Sequence, residues 1–118
     1  MNAAEFKERT MLFGLRVIDV VDALPKSTKG KTVAGQLCRS GTSVGANYRA
    51  ACRAKSSADF IHKMAIVEEE ADESAYWLEV IVRAKLLPAK RLEPLIAEAN
   101  EIVAMVISSI TTAKRKRA

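Results

Sequence analysis

Between Leu92 and Ile110 the apolar residues Leu92, Leu95, Ile96, Ala99, Ile102, Val103, Val106, Ile107 and Ile110 recur at steps of one and three. That spacing belongs to an α-helix with 3.6 residues per turn, and the face it paints is too broad for one neighbour to cover. A helix of this kind needs several others around it, so the rest of the chain must supply them.

It does. Phe6, Phe13, Val17, Val20 and Leu24 step by three, four or seven, which predicts a helix over residues 4–23 that Pro25 ends. Val33, Leu37, Val44, Tyr48 and Ala51 carry the same periodicity through a second helix over 29–54. Ser56 or Ser57 can cap a third, with Asp59 in its first turn, where a carboxylate meets the positive end of the helix dipole. Its core stripe is Phe60, Met64, Val67, Ala71, Leu78 and Val82, and Pro88 closes the segment. Pro94 lies near the start of the fourth helix, where a missing backbone donor costs little within the first turn. No apolar alternation of strand type appears, and short connections favour antiparallel neighbours. The expected fold is all-α, an antiparallel up-and-down four-helix bundle forming one domain over residues 1–113, followed by a basic tail at 114–118.

The 118 residues suit a single domain, and only five Gly and three Pro leave a composition dense in helix formers. The first residues contain acids and no apolar core, so they do not read as a secretory signal. Apolar runs are broken by Asp19 and Asp22 or extend only from Ile102 to Ile107, short of the roughly 20 residues a membrane span needs. Cys38 and Cys52, about 21 Å apart along one helix at about 1.5 Å per residue, are beyond disulfide reach. Free thiols and no membrane span point to the cytoplasm.

The net charge of +5 is concentrated, because Lys114, Arg115, Lys116 and Arg117 contribute four of it. Residues 23–58 hold seven Lys or Arg and no acid, whereas residues 59–79 hold seven acids against Lys63 alone. A basic helix packing beside an acidic one explains this polarity more simply than a nucleic-acid surface does. Even so, the terminal basic run together with Arg49 and Arg53 could contact phosphate backbone, RNA or DNA, with strong salt dependence. Few aromatics are left over for base stacking.

Two further constellations stand out. Ser40, Ser43 and Asn47 form a small polar strip beside Gly35, Gly41 and Gly45, open to a closely approaching backbone. The simpler reading has the hydroxyls bonding back to carbonyls one turn earlier and Asn47 tying two helices together; the alternative is a small-ligand or catalytic site that also uses Arg39 or Glu73. Ile66, Glu69, Glu73, Trp77 and Val80 make a second stripe on the third helix, rotated away from its core stripe, and resemble an assembly surface able to meet Arg39. Chemistry finds little support: His62 is the sole histidine, Glu68, Glu69 and Glu70 splay around the helix, and no nucleophile pair, phosphate loop or dinucleotide fingerprint occurs. No metal site, cofactor or enzymatic activity is expected.

The segment from Arg39 through Ser40, Ser43, Asn47, Tyr48, Arg53, Ser56 and Phe60, with Glu69, Glu73 and the Tyr76-Trp77-Leu78 run downstream, resembles the four-helix-bundle proteins related to those encoded by intervening sequences in large-subunit ribosomal RNA genes. The resemblance implies an up-and-down bundle that assembles as a homopentamer and has no settled biochemical activity. Similar accessory proteins of diversity-generating retroelements bind nucleic acid and a reverse transcriptase, which implies nucleic-acid or protein partners. Those accessory proteins are strongly basic, whereas this chain carries only +1 outside its terminal basic run.

Overall fold

Asn2 opens the first helix by accepting a hydrogen bond from the Glu5 backbone N–H at 2.8 Å, while the Glu5 carboxylate returns to the Asn2 N–H, a capping box. The structure, a computed structural model, describes residues 1–117. Four helices follow one another: α1 Ala3–Ala23, α2 Thr28–Ala51, α3 Ser57–Arg83 and α4 Ala89–Arg117. Leu24 turns extended ahead of Pro25, as a residue before proline must. Ser27 caps α2 through Gly30, and Ser56 caps α3 through the Asp59 N–H. Each helix packs chiefly on its chain neighbour, which makes the molecule an up-and-down bundle of 49 × 21 × 21 Å.

Three element ends differ from the periodicity. α2 stops at Ala51, and residues 52–54 tighten into a turn in which the Arg53 and Ala54 N–H groups bond three residues back. α3 stops at Arg83 because Lys85 takes a left-handed conformation with φ 57°, and the Lys85 and Leu86 N–H groups reach back to Val82 and Ile81. That is a Schellman closure with lysine where glycine is usual. Pro94 is the sixth residue of α4, beyond the first turn, so the Lys90 carbonyl lacks its helical donor; both residues are exposed and water can serve instead. The basic residues Lys114 to Arg117 continue α4 as its last turn, and Ala118 lies outside the described residues.

The core follows the four stripes closely. Phe13, Val17, Leu37, Val44, Met64, Val67, Leu78, Leu92, Ile102 and Val106 are almost wholly buried. On α3 it is Ile81, fully buried, that ends the stripe, with Val82 at its margin. On α4, Ile107 escapes to the surface at 46% exposure, so the broad face exceeds what α1 and α3 cover. By length and composition α4 is apolar enough to cross a membrane, contrary to the short runs read in the sequence, because small and branched residues fill both its sides. Its Leu92, Leu95, Ala99, Ile102, Val106 and Ile110 side is one wall of the bundle core.

The α2 glycines divide by face. A Cβ on Gly41 would come within 2.6 Å of a Val17 methyl, and one on Gly45 within 3.3 Å of the Thr10 carbonyl oxygen. These two positions let α1 lie close against α2. Gly35 meets nothing. The serine strip, by contrast, faces α3, so glycines and serines belong to opposite sides of the helix. The α1–α4 side is closed by Arg9, whose guanidinium donates twice to Glu98, at 2.7 Å each, and stands 3.6 Å from Glu101. The Glu98 hydrogen bonds hold the Arg9 pKa above its ordinary value.

Candidate functional site

In an up-and-down bundle the N-termini of α1 and α3 share one end with the C-termini of α2 and α4. The Phe6 ring meets Tyr48 edge-on at 4.7 Å, and Met1, Phe60 and Lys116 border one depression, which fixes this end of the molecule. Arg49, Arg53, Lys55 and Lys114 to Arg117 are all exposed there. The fold thus brings together the cations that sequence alone could only name separately. None of them has an ion-pair partner among the described residues, where the ion pairs involve Arg9, Arg39 and Lys63. Of the acids at this end, Glu5 is engaged in its cap and Asp59 pairs with Lys63 at 3.0 Å, leaving Glu8 exposed. The Lys63 hydrogen bond, with one from the Lys55 backbone, holds the Asp59 carboxyl below its ordinary value. Arg49 and the last turn of α4 also sit at the negative ends of their helix dipoles, which favours cations there regardless of any ligand.

The polar strip is engaged within the protein. The Ser74 hydroxyl donates to Ser40 Oγ at 3.1 Å, Ser40 donates to the Leu37 carbonyl, Ser43 to the Arg39 carbonyl and Asn47 to the Ser43 carbonyl. Ser40 and Ser74 are fully buried and satisfied, a hydrogen-bonded pin between α2 and α3. Beside it Arg39 donates to Glu70 at 2.9 Å and to Glu73, and the Trp77 indole N–H donates to the same Glu73 carboxylate at 3.2 Å. Arg39, first among these, pulls the Glu73 pKa below its ordinary value.

The expected pairing of a basic with an acidic helix is therefore present within one chain, through Arg39 with Glu70 and Glu73. Glu69 is exposed, and Arg53 pairs with no acid among the described residues. Trp77 is half-buried against the chain's own core, as is Val80, while Ile66 is intermediate. The outermost aromatic is instead Tyr76, 58% exposed, with Glu69, Asp72 and Glu79 exposed around it.

A second surface escaped the sequence reading. Met11, Leu15 and Ile18 of α1 are 43–50% exposed and border a groove of about 180 Å³ against Thr42, Gly45 and Ala46 of α2, with Lys7 and Arg49 at its rim. Their spacing of four and three was a legible signal, a second apolar stripe on α1. Gly14, Gly45 and Ala46 line the floor of the groove with little side chain.

Among the described residues no three His, Cys, Asp or Glu side chains converge as metal ligands, and Asp59 is committed to Lys63 rather than to His62. Cys38 and Cys52 are free thiols. Burial, followed by the neighbouring Cys52, pushes the Tyr48 phenol up to about 12.

Residues 3–108 match the family described as 23S rRNA-intervening sequence protein. The chain belongs to that family. A crystal structure of a protein with unknown function from the S23 ribosomal protein family of Bacteroides thetaiotaomicron is similar throughout, with 36% identity over 88% of this chain and 96% of that one and a TM-score of 0.83. None of the curated proteins matches. The structural likeness agrees with the four-helix bundle, and neither comparison assigns an activity.

Proposed function

We propose that this family member is a non-enzymatic, self-assembling helical scaffold that holds the phosphate backbone of nucleic acid against its basic end. The observation that carries this reading is the gathering of Arg49, Arg53, Lys55 and Lys114 to Arg117 at one end of the bundle without acidic partners among the described residues. Guanidinium and ammonium groups left exposed in this way are suited to phosphate oxygens. The contact is directed to the backbone, since Phe6, Phe13 and Tyr48 are buried, Phe60 and Trp77 half-buried, and Tyr76 alone is exposed for stacking.

Self-assembly is supported by apolar and aromatic surface that one chain leaves uncovered, and the homopentamer is what the family resemblance implies. Assembly multiplies a modest cluster of cations, so several weak backbone contacts act together. The serine strip, whose hydroxyls are engaged in hydrogen bonds within the bundle, supports a scaffold over a ligand or catalytic site there. A cytoplasmic setting suits the free thiols.

The test is light scattering of the purified chain at low salt with the ratio of absorbance at 260 and 280 nm recorded across the peak. A mass that is a multiple of 12.9 kDa, with a raised ratio that a high-salt wash lowers, is the expected result. A monomer free of nucleic acid at low salt overturns the reading.

A further inference from the structure

We propose that the apolar groove between α1 and α2 receives the Tyr76 stripe of α3 from a second copy of the chain, a head-to-tail contact. The inference rests on the self-assembly reading above and names the two faces that perform it. On the groove side, Met11, Leu15 and Ile18 form a continuous exposed apolar strip with Gly45 and Ala46 opposite, and Lys7 and Arg49 supply positive charge at its edge. Scattered exposed apolar residues are ordinary; an uncovered apolar groove with a charged rim is what interfaces are built from.

On the other side, Tyr76 is the most exposed aromatic of the molecule, and Glu69, Asp72 and Glu79 lie seven and four residues before it and three after it, all exposed on the outer face of α3. A tyrosine ring has an apolar body and a polar tip, the shape of side chain that anchors in such a groove. The signs of charge select the pairing. Apart from Arg83 two turns further on, the exposed charges around Tyr76 are acids that two α3 stripes would bring against one another, whereas the charged side chains lining the groove itself are Lys7 and Arg49, with Glu8 and Asp22 beyond its ends. The stripe therefore fits the groove rather than itself. A contact between two different patches propagates around a closed ring when the rotation allows, so each copy uses both faces at once.

Complementation tests this directly. Leu15→Glu disables the groove and Tyr76→Glu the stripe, each at a position half-exposed or more in the single chain, so helicity by circular dichroism should be retained. If either glutamate lowers helicity, Leu15→Ser and Tyr76→Ser replace it. By native mass spectrometry each variant alone is expected to fall to the 12.9 kDa monomer. Mixed in equal amounts, the two should form a one-to-one heterodimer, because one intact groove and one intact stripe remain. If Leu15→Glu is monomeric while Tyr76→Glu keeps the wild-type mass and the mixture forms no heterodimer, the α1 face pairs with itself and the proposal is overturned. It is likewise overturned if both variants keep the wild-type mass, which places assembly elsewhere. A monomeric wild-type chain removes the self-assembly reading itself.

Discussion

Gly41 of α2 sits so close to Val17 of α1 that a Cβ built on it would lie 2.6 Å from one Val17 methyl and 2.7 Å from the other. Backbone and side chain meet here with no room for one more carbon. Gly41→Ala is therefore expected to destabilise the bundle by about 1–3 kcal/mol, the usual cost of overpacking. Gly35 is the internal control, exposed on the same helix with nothing within 4 Å. Gly35→Ala should stabilise by up to about 1 kcal/mol, the helix-propensity difference. Urea unfolding of both variants checks the pair, and equal effects would mean that α1 does not press on Gly41.

Arg9 fastens α1 to α4 through two parallel hydrogen bonds to Glu98, both at 2.7 Å and both partly buried. Arg9→Ala should cost about 1.5–3 kcal/mol, the range for hydrogen bonds to charged groups, and Arg9→Lys should recover little because an ammonium cannot reproduce the planar fork. Thermal unfolding of the two variants decides it. Full rescue by lysine would show that charge alone matters at this site.

The Arg39, Glu73 and Trp77 cluster predicts a pH dependence. Glu73 has a folded pKa below its ordinary value of 4.5, chiefly because Arg39 hydrogen-bonds to the carboxylate. The folded state thus favours the ionised form, and this contribution is fully present above 4.5 and is lost as pH falls through the depressed folded value. Glu73→Gln should lower stability at pH 7 and flatten the stability profile in the acid range. A variant whose acid profile runs parallel to wild type would contradict the pairing.

The fold was legible because each helix writes its buried side at helical spacing and its ends with serine, asparagine or proline. Phe13, Leu37, Met64 and Ile102 were named by spacing and are fully buried or nearly so. Pairings across helices were less legible. Nothing local ties Arg9 to Glu98, which are 89 residues apart, or Ser40 to Ser74. Adjacency also misplaced Glu69 against Glu70: one step along a helix turns a side chain by about 100°, enough to send one carboxylate to solvent and the other to Arg39. The same rotation separates Tyr76, outermost on α3, from Trp77, which lies against the core. The basic end needed the topology itself, since it joins α2 to α4 across the whole of α3.

The central claim is that these gathered cations hold nucleic-acid backbone, and its most direct test is the salt dependence of duplex binding by fluorescence anisotropy, with and without residues 114–117. Four cations engaging duplex phosphates contribute a slope of roughly −3.6 in log affinity against log salt, at about −0.9 per phosphate. Deleting the four residues should flatten the slope by up to that amount, leave the oligomer mass unchanged and affect random-sequence duplexes equally. Tight, sequence-dependent binding that survives both the deletion and high salt would contradict the account, as would an intact chain that binds no duplex at low salt.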